Sequence, residues 1–287
     1  MNYTLKYLDS SGNLNHSQGN IGFWAFCKHL AFAGIPIYKA PLMLSRFLGY
    51  FWEFRQFWGS NPNSFELPSI IENDPTEISF ISNRIGKAYA DYFAKRIFRA
   101  RFTHVYEDAM VRNGYKIKGD RPDFYCENLK QQFSIEAKGF KRSTVSDNSM
   151  NDHKSQSQTG PIPVNFSVAS VAYNLYQKPT IKFYDPINDE IEYNEEVNNQ
   201  LRSLYYNSIL EMIEFLDMEE SESKLDNYYY YSFGPLFPDE FRLILHRAIV
   251  QRDWYENDWL NNIEFSENEE RQFYIDLDGV GIASKIE

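Results

Sequence analysis

Two carboxylates and a lysine stand in neighbouring segments of this sequence, at spacings that can bring them together. Asp123 follows Pro122, twelve residues separate it from Glu136, and Lys138 comes two residues after Glu136. Side chains alternate along a β-strand, so Glu136 and Lys138 share one face if their segment is extended. A short turn joins this segment to the one before it, which therefore runs back beside it. We expect the three side chains to converge on one patch.

Such a patch suits the metal-assisted hydrolysis of a phosphodiester. Two carboxylates offer hard oxygen ligands, which favour Mg²⁺ or Mn²⁺ over zinc, and the carbonyl of Ala137 could add another oxygen. A metal ion held there would polarise the phosphate and lower the pKa of a bound water. Lys138 would orient or deprotonate that water, or stabilise the charge of the phosphorane.

A third carboxylate is expected from the helix that precedes these strands. Glu107 and Asp108 are both candidates. Asp108 lies four residues before Arg112, which gives it an ion-pair partner on the same helix face. Glu107 has Thr103 and Val111 at the corresponding offsets, so we select Glu107 as the additional catalytic group.

Basic residues around the patch are candidates for binding nucleic-acid phosphates. Those that follow the motif are Lys141, Arg142 and Lys154. Three arginines of the preceding helix are further candidates, or serve only to solvate its outer face: Arg96, Arg99 and Arg101. His153 lies in the same polar stretch as Lys154 and has the strongest claim among the five histidines.

The elements that must position this patch can be read from periodicity. Apolar residues at spacings of three and four predict a helix from Asn83 to about residue 112, with Asn83 as its cap. Short strands are predicted at 115–118, 123–126 and 133–138. A polar loop over 142–160, a helix over 164–176 and a strand over 180–184 follow. The order is helix, three strands, helix, strand, which indicates an α/β fold around a mixed sheet.

Composition sets the remaining bounds. The net charge of -11 argues against a nucleic-acid partner, but residues 84–142 hold 14 Lys and Arg against 7 Asp and Glu. Phosphate binding depends on such local charge. The two cysteines, Cys27 and Cys126, provide neither a disulfide framework nor zinc spacing, and we find no signal peptide and no apolar run of membrane-spanning length. We expect a cytoplasmic protein without a membrane partner.

These residues resemble the PD-(D/E)XK nuclease superfamily, which has the restriction-endonuclease-like fold. The resemblance rests on Pro122-Asp123, on Glu136-Ala137-Lys138 and on the order of elements over residues 83–186. It implies metal ligands at Asp123 and Glu136, a catalytic lysine at Lys138 and, in some members, a helix glutamate, best matched by Glu107. Some members add a glutamine or lysine after the motif, for which we do not choose among three residues: Lys154, Gln156 and Gln158.

The resemblance also implies a biological setting. Members include restriction, repair, recombination and phage-defence nucleases, and many pair their active sites to cut both strands. We therefore expect a Mg²⁺-dependent DNA endonuclease in restriction or phage defence, with Mn²⁺ able to substitute, acting as a homodimer or with a partner protein. Around the nuclease core we expect a mostly helical N-terminal region (1–82) and an acidic α+β C-terminal region (187–287).

Several other interpretations stay open. The enzyme could cut RNA, or the fold could be a non-catalytic module that binds nucleic acid or protein. Glu136 and Lys138 could form only a surface ion pair, since Glu-x-Lys is a weak motif that recurs at Glu222-Ser223-Lys224. That second copy lies in an acidic stretch with no strand pattern, so we interpret it as a solvated run.

Overall fold

Two β-sheets organise the chain. The computed structural model describes residues 1–35, 40–184, 191–222, 225–233, 241–255, 257–268 and 272–284. Its helices are α1 (Phe23–Phe32), α2 (Ala40–Arg55), α3 (Pro75–Phe98), α4 (Tyr106–Arg112), α5 (Asp147–Ser157), α6 (Glu195–Phe215), α7 (Arg247–Val250) and α8 (Asn257–Asn262). Its strands are β1 (Asn2–Leu8), β2 (Leu14–Asn20), β3 (Phe102–Val105), β4 (Phe124–Glu127), β5 (Gln132–Gly139), β6 (Phe166–Tyr173), β7 (Thr180–Tyr184), β8 (Glu219–Glu222), β9 (Tyr228–Ser232), β10 (Arg242–His246), β11 (Ser266–Asn268), β12 (Phe273–Ile275) and β13 (Val280–Ala283).

The larger sheet has seven strands in the order β2-β1-β7-β6-β5-β4-β3. It is mixed: β5 pairs with β6 and β1 with β7 in parallel, and the other neighbours are antiparallel. The prediction of an α/β fold with a mixed sheet is confirmed at this level. The N-terminal region contributes β1 and β2 to this sheet, so the predicted boundary at residue 83 falls inside α3 rather than between structural units.

The long helix exists, but the predicted bounds were wrong. It begins after Asp74, whose carboxylate accepts hydrogen bonds from the backbone N–H groups of Thr76 (3.0 Å) and Glu77 (3.1 Å). Pro75 occupies the first turn, where its missing N–H has no intrahelical partner to lose. Asn83 is therefore not a cap. It lies inside α3, where its Oδ1 accepts a hydrogen bond from the Gly139 N–H.

The C-terminal part of the predicted helix is a strand followed by a short helix. Arg99 caps α3 in the left-handed conformation (φ 56°), and Phe102–Val105 then forms β3. The rings of Phe102 and His104 make edge-to-face contacts with Tyr205 of α6, and Thr103 is buried on the other face. Both faces of β3 are covered, so consecutive residues are buried. The apolar Phe102 and Val105, three residues apart, therefore fitted the spacing of a helix. The predicted strand at 115–118 is instead irregular chain between α4 and β4.

Two segments between β5 and β7 were predicted wrongly. The polar stretch predicted as a loop holds α5, which is capped by Ser146 and buries only Met150 and Ser157. With so few buried positions, α5 shows no apolar period. The predicted helix at 164–176 is β6, in which every residue is buried. Strand β7 is as predicted, and residues 185–186 at the predicted end of the core lie outside the described residues.

The two faces of β5 and β6 carry different helices. On one face Ile135, Ala137 and Val168 belong to the core that α3 covers. On the other face Met150 of α5 packs with Val171 of β6. Because side chains alternate, Ser134, Glu136 and Lys138 point to the α5 face, and Ser134 Oγ donates to the carbonyl of Ser157 at the end of α5 (2.7 Å).

The C-terminal region forms the second sheet, in the order β11-β12-β13-β10-β9-β8. Of the second Glu-x-Lys, Glu222 ends β8, and Ser223 and Lys224 lie outside the described residues. Helix α6 is fixed to the larger sheet by Arg202, which makes a two-pronged ion pair with Glu127 of β4 (2.6 and 3.0 Å). The acidic region is thus joined to the core by buried contacts.

A fully buried group of charged side chains also joins this second sheet to α1 and α3. Lys28 and Lys95 both contact Asp276 Oδ2, at 2.7 and 2.5 Å, and both contact Asp278 Oδ2, at 2.5 and 3.1 Å. His29 Nδ1 lies 2.7 Å from Asp91 Oδ2. We call this group the buried ion cluster; its members are Lys28, His29, Asp91, Lys95, Asp276 and Asp278.

Candidate active site

The end of the β4–β5 pair positions the predicted patch. Asp123 immediately precedes β4, and the last ladder pair joins Phe124 to Ile135. Beyond it, the backbone N–H of Ala137 donates to Asp123 Oδ2 (3.0 Å) instead of to a strand. The Asp123 backbone carbonyl accepts a hydrogen bond from the Tyr106 N–H (3.3 Å). Asp123 is therefore held at both its side chain and its backbone, next to the strand that carries Glu136.

Glu136 is buried, with 1% of its surface exposed. Its Oε1 lies 2.5 Å from Lys138 Nζ, and its Oε2 has no hydrogen-bond partner among the described residues. Burial and the nearby Asp123 carboxylate raise the pKa of Glu136 to about 7, against the opposing effect of Lys138. A carboxylate oxygen buried without a hydrogen-bond partner is costly, and a ligand in contact with Oε2 would relieve that cost.

Asp123 has the opposite electrostatic environment. Its Oδ1 lies 2.8 Å from Lys87 Nζ, and its Oδ2 lies 3.6 Å from Lys138 Nζ. Burial disfavours the ionised carboxylate, but Lys87 and Lys138 outweigh that effect and hold the pKa of Asp123 below its ordinary value. The patch therefore contains one readily ionised carboxyl and one that titrates near neutral pH, as a pair of close like charges requires.

Lys87 is the site residue that the sequence did not reveal. It lies on α3, 36 positions before Asp123, and reaches the carboxylate because α3 packs unusually close to β5. At Gly86 a Cβ would lie 2.5 Å from the carbonyl of Lys138, and at Gly139 a Cβ would lie 1.7 Å from the carbonyl of Ser82. The Gly86-Lys87 pair, which faces a strand glycine, was the only available signal.

Glu107 is paired with a basic residue of the loop that precedes β4. It lies on α4, between β3 and β4, and its Oε1 accepts a hydrogen bond from Arg121 Nε at 2.7 Å. The argument that Glu107 lacks a charged partner was therefore wrong, because its partner comes from the loop before β4 rather than from its own helix. The side chain that the preceding long helix presents to Asp123 is the ammonium of Lys87.

The predicted phosphate contacts fall into two groups. Lys141 and Arg142 are exposed just beyond β5 and line a cleft of about 380 Å³ between that segment and the start of α3. Arg142 lies over the ring of Phe140 (4.2 Å) and donates to Ser149 Oγ. Lys154 of α5 instead donates to the carbonyl of Ser167 on β6, so its ammonium is held against the sheet.

The three helix arginines have structural roles. Arg101 is buried and donates to the carbonyls of Ile263 (2.9 Å) and Leu277 (3.2 Å). Arg96 and Arg99 lie over the ring of Phe265 and pair with acidic residues of the C-terminal region, Glu267 and Glu264 respectively. Part of the basic excess over residues 84–142 is thus paired with acidic residues or carbonyls of the C-terminal region.

His153 is the histidine nearest to the patch. It lies on α5 with its ring centroid 6.1 Å from that of Phe140. Burial, together with the charges of Lys138 and Arg142, lowers the pKa of His153. Of the alternative residues after the motif, Lys154 and Gln156 lie within α5 and Gln158 is its C-cap.

The donor set fits Mg²⁺ or Mn²⁺. These ions are commonly held by one or two carboxylates, with the remaining positions filled by water and substrate phosphate. Asp123 and Glu136 provide two carboxylates, and the partnerless Glu136 Oε2 is the oxygen that such an ion would satisfy. Another cluster of possible metal ligands consists of His29, Asp91 and Asp276, but Lys28 and Lys95 already contact Asp276 there.

The environment of Glu136 predicts a pH-dependent stability effect. With a pKa of about 7 in the folded chain against an ordinary value of 4.5, Glu136 stays protonated longer in the native state, so its ionisation destabilises the fold as pH rises from 4.5 to 7 and fully above that. In EDTA we expect Glu136→Gln to be more stable than wild type by on the order of 2–3 kcal/mol at pH 8, and by less than about 1 kcal/mol at pH 5. Urea unfolding at both pH values measures this; equal effects at the two would contradict it.

Comparison with known proteins found no protein-family model that matches the chain, and no significant match among curated proteins or solved structures. No helix in the described part of the chain is both long enough and apolar enough to cross a membrane.

Proposed function

We propose that this chain is a metal-dependent nuclease that hydrolyses phosphodiester bonds in DNA, with Asp123, Glu136 and Lys138 as its active site. The observation that carries the proposal is the buried Glu136 carboxylate, whose Oε2 lacks a partner, beside Asp123 and two lysines. A surface ion pair would not need a buried carboxyl with a raised pKa.

The order of elements supports the same proposal. From α3 the described chain continues through β3, β4 and β5 to α5 and β6, with the short α4 inserted after β3. This is the helix, three strands, helix and strand that the resemblance to the PD-(D/E)XK superfamily implies, although three of these elements lie elsewhere than the sequence predicted. Asp123 and the Glu136–Lys138 segment fall at the corresponding strand ends.

Each residue has a distinct proposed task. Asp123 and Glu136 would hold Mg²⁺, which when bound polarises the phosphate and activates water. Burial works against the charged form of Lys138, but Asp123 and Glu136 outweigh it and raise the pKa of Lys138. Lys138 therefore remains an ammonium at neutral pH, which favours charge stabilisation of the phosphorane over removal of a proton from water.

Lys141 and Arg142 are proposed to bind the substrate backbone, because both are exposed at the end of the strand that carries Lys138. Each phosphate contact that is lost should lower the slope of log K against log salt by about 0.9 for duplex DNA. For Lys141→Met/Arg142→Met in EDTA we therefore expect a slope smaller by about 2. Fluorescence anisotropy at several salt concentrations measures this, with the exposed Lys130→Met as the control; a slope equal to that of Lys130→Met would contradict it.

We also propose a role in restriction or phage defence, and assembly as a homodimer or with a partner protein. Both follow from the resemblance alone. An RNA substrate is the second candidate, because the same site chemistry acts on either sugar. A non-catalytic binding module is the third, and the partnerless Glu136 Oε2 argues against it.

A cleavage assay tests the proposal. Supercoiled plasmid, single-stranded DNA and RNA would be incubated with wild type, Asp123→Ala and Lys138→Ala in Mg²⁺, Mn²⁺ or EDTA. We expect cutting of DNA that requires the metal and is lost in both variants. Cutting of RNA alone would show that the enzyme is a ribonuclease with the same active site. Cutting that persists in EDTA or in Asp123→Ala would refute the assigned site.

A further inference from the structure

We propose that Lys87 holds the place of the metal ion: its ammonium neutralises Asp123 in the metal-free protein and is displaced when a divalent cation binds. This inference rests on the proposed function, because it concerns the same carboxylates. It adds a residue of α3 that regulates how tightly the site takes its cation.

The contacts of Asp123 leave it no free carboxylate oxygen. Oδ2 accepts the Ala137 N–H and lies 3.6 Å from Lys138 Nζ, and Oδ1 lies 2.8 Å from Lys87 Nζ. A cation that binds Asp123 must therefore replace an ammonium or share an oxygen with one. Direct replacement at Oδ1 is the route that leaves the backbone hydrogen bond to Oδ2 intact.

Of the two lysines, Lys87 is the one that can leave. Lys138 is held by two carboxylates, at 2.5 Å from Glu136 and 3.6 Å from Asp123, and its side chain is 27% exposed. Among the described residues Lys87 forms an ion pair only with Asp123, and its side chain is 43% exposed. Its ammonium can turn into solvent on a flexible four-carbon stem, where hydration compensates for the lost ion pair.

The charge balance of the patch explains why an ammonium group is needed when no cation is bound. With both carboxyls ionised, two negative charges face two ammonium groups, and removing one ammonium without adding a cation would leave like charges unbalanced. Lys87 supplies that charge in the metal-free state. After displacement it stays beside the site, where a substrate phosphate brings the next negative charge.

The metal affinity of variants tests the inference, because it predicts tighter binding and damage to the fold would only weaken binding. We expect Lys87→Met to bind Mn²⁺ about three- to tenfold more tightly than wild type by isothermal titration calorimetry, because a competing charge is gone while an unbranched side chain of similar length is kept. Lys87→Arg should bind Mn²⁺ as wild type does, because the guanidinium keeps the competing charge.

The controls separate this inference from the proposed function. Lys130→Met removes the same charge in the turn that precedes β5, at the opposite end of that strand, and should leave the Mn²⁺ affinity unchanged. Asp123→Ala should abolish the binding. If Asp123→Ala abolishes binding but Lys87→Met binds no tighter than wild type, the inference is wrong and the metal site stands. If wild type binds no Mn²⁺, or Asp123→Ala binds it equally well, both proposals fail.

Discussion

Asp123→Asn is expected to reduce metal-dependent cleavage on the order of 10³-fold or more, and to abolish Mn²⁺ binding at the site. The amide keeps the size of the carboxylate and can still accept the Ala137 N–H, so the fold around β5 should persist. The variant loses the negative charge that makes the Asp123 oxygens good ligands for a divalent cation. Single-turnover cleavage together with calorimetric Mn²⁺ titration measures both effects on one preparation.

Lys138→Met is the matched variant that separates cation binding from catalysis. It should lower the cleavage rate by about 10²–10³-fold, yet bind Mn²⁺ at least as tightly as wild type, because the ammonium 2.5 Å from Glu136 is removed. Loss of metal binding in Lys138→Met, or cleavage by Asp123→Asn near the wild-type rate, would contradict the assigned roles.

Asp276→Ala is expected to produce the largest loss of stability. Its Oδ2 contacts the buried ammonium groups of Lys28 and Lys95, at 2.7 and 2.5 Å. Burial opposes ionisation of Asp276, but these lysines outweigh it and hold its pKa well below the ordinary value. Removing one member of such a group leaves uncompensated charge in the interior and typically costs about 3–5 kcal/mol. Thermal and urea unfolding measure it, and a melting point lower by roughly 10 °C is expected.

Two control variants test the reason for that loss. The exposed Asp120→Ala should change stability by no more than about 0.5 kcal/mol. Asp276→Leu combined with Lys95→Met removes one charge of each sign and should cost less than Asp276→Ala alone. A double variant that is less stable than the single one would show that the charges are not compensating each other. A loss under about 1 kcal/mol in Asp276→Ala would contradict the buried position of the cluster.

The same cluster should set the acid limit of the fold. Asp276 and Asp91 both have lowered pKa values, so each contributes stability above its ordinary value of 3.8 and loses that contribution as pH falls below it. This direction is opposite to that of Glu136, which destabilises the fold as pH rises toward 7. Without metal, these carboxyls therefore change the stability of the fold in opposite directions as pH rises.

The patch could be predicted because it depends on local rules. Asp123, Glu136 and Lys138 lie on adjacent strands joined by a short turn, and the alternation of side chains fixes which of them share a face. The same rules gave β4, β5 and β7. Where a short turn joins two strands, sequence spacing is enough to place their side chains.

The remaining elements depended on tertiary contacts that spacing does not encode. Every residue of β6 is buried, so it lacks the alternation that identifies a strand, and α5 buries too little to show a helical period. Lys87 reaches Asp123 only because Gly86 and Gly139 let α3 approach β5, a packing between segments more than fifty residues apart. The ion-pair partner of Glu107 was missed because Arg121 comes from a loop and not from the same helix.

The most direct test of the metal site is anomalous scattering from crystals soaked in Mn²⁺ at pH 8, where Glu136 is ionised. We expect one strong peak about 2.0–2.3 Å from an oxygen of Asp123 and from Glu136 Oε2, with Lys87 Nζ withdrawn from Asp123 Oδ1. A peak at these carboxylates would establish the centre on which the proposed cleavage depends. No peak there, with Lys87 still paired to Asp123, would contradict it.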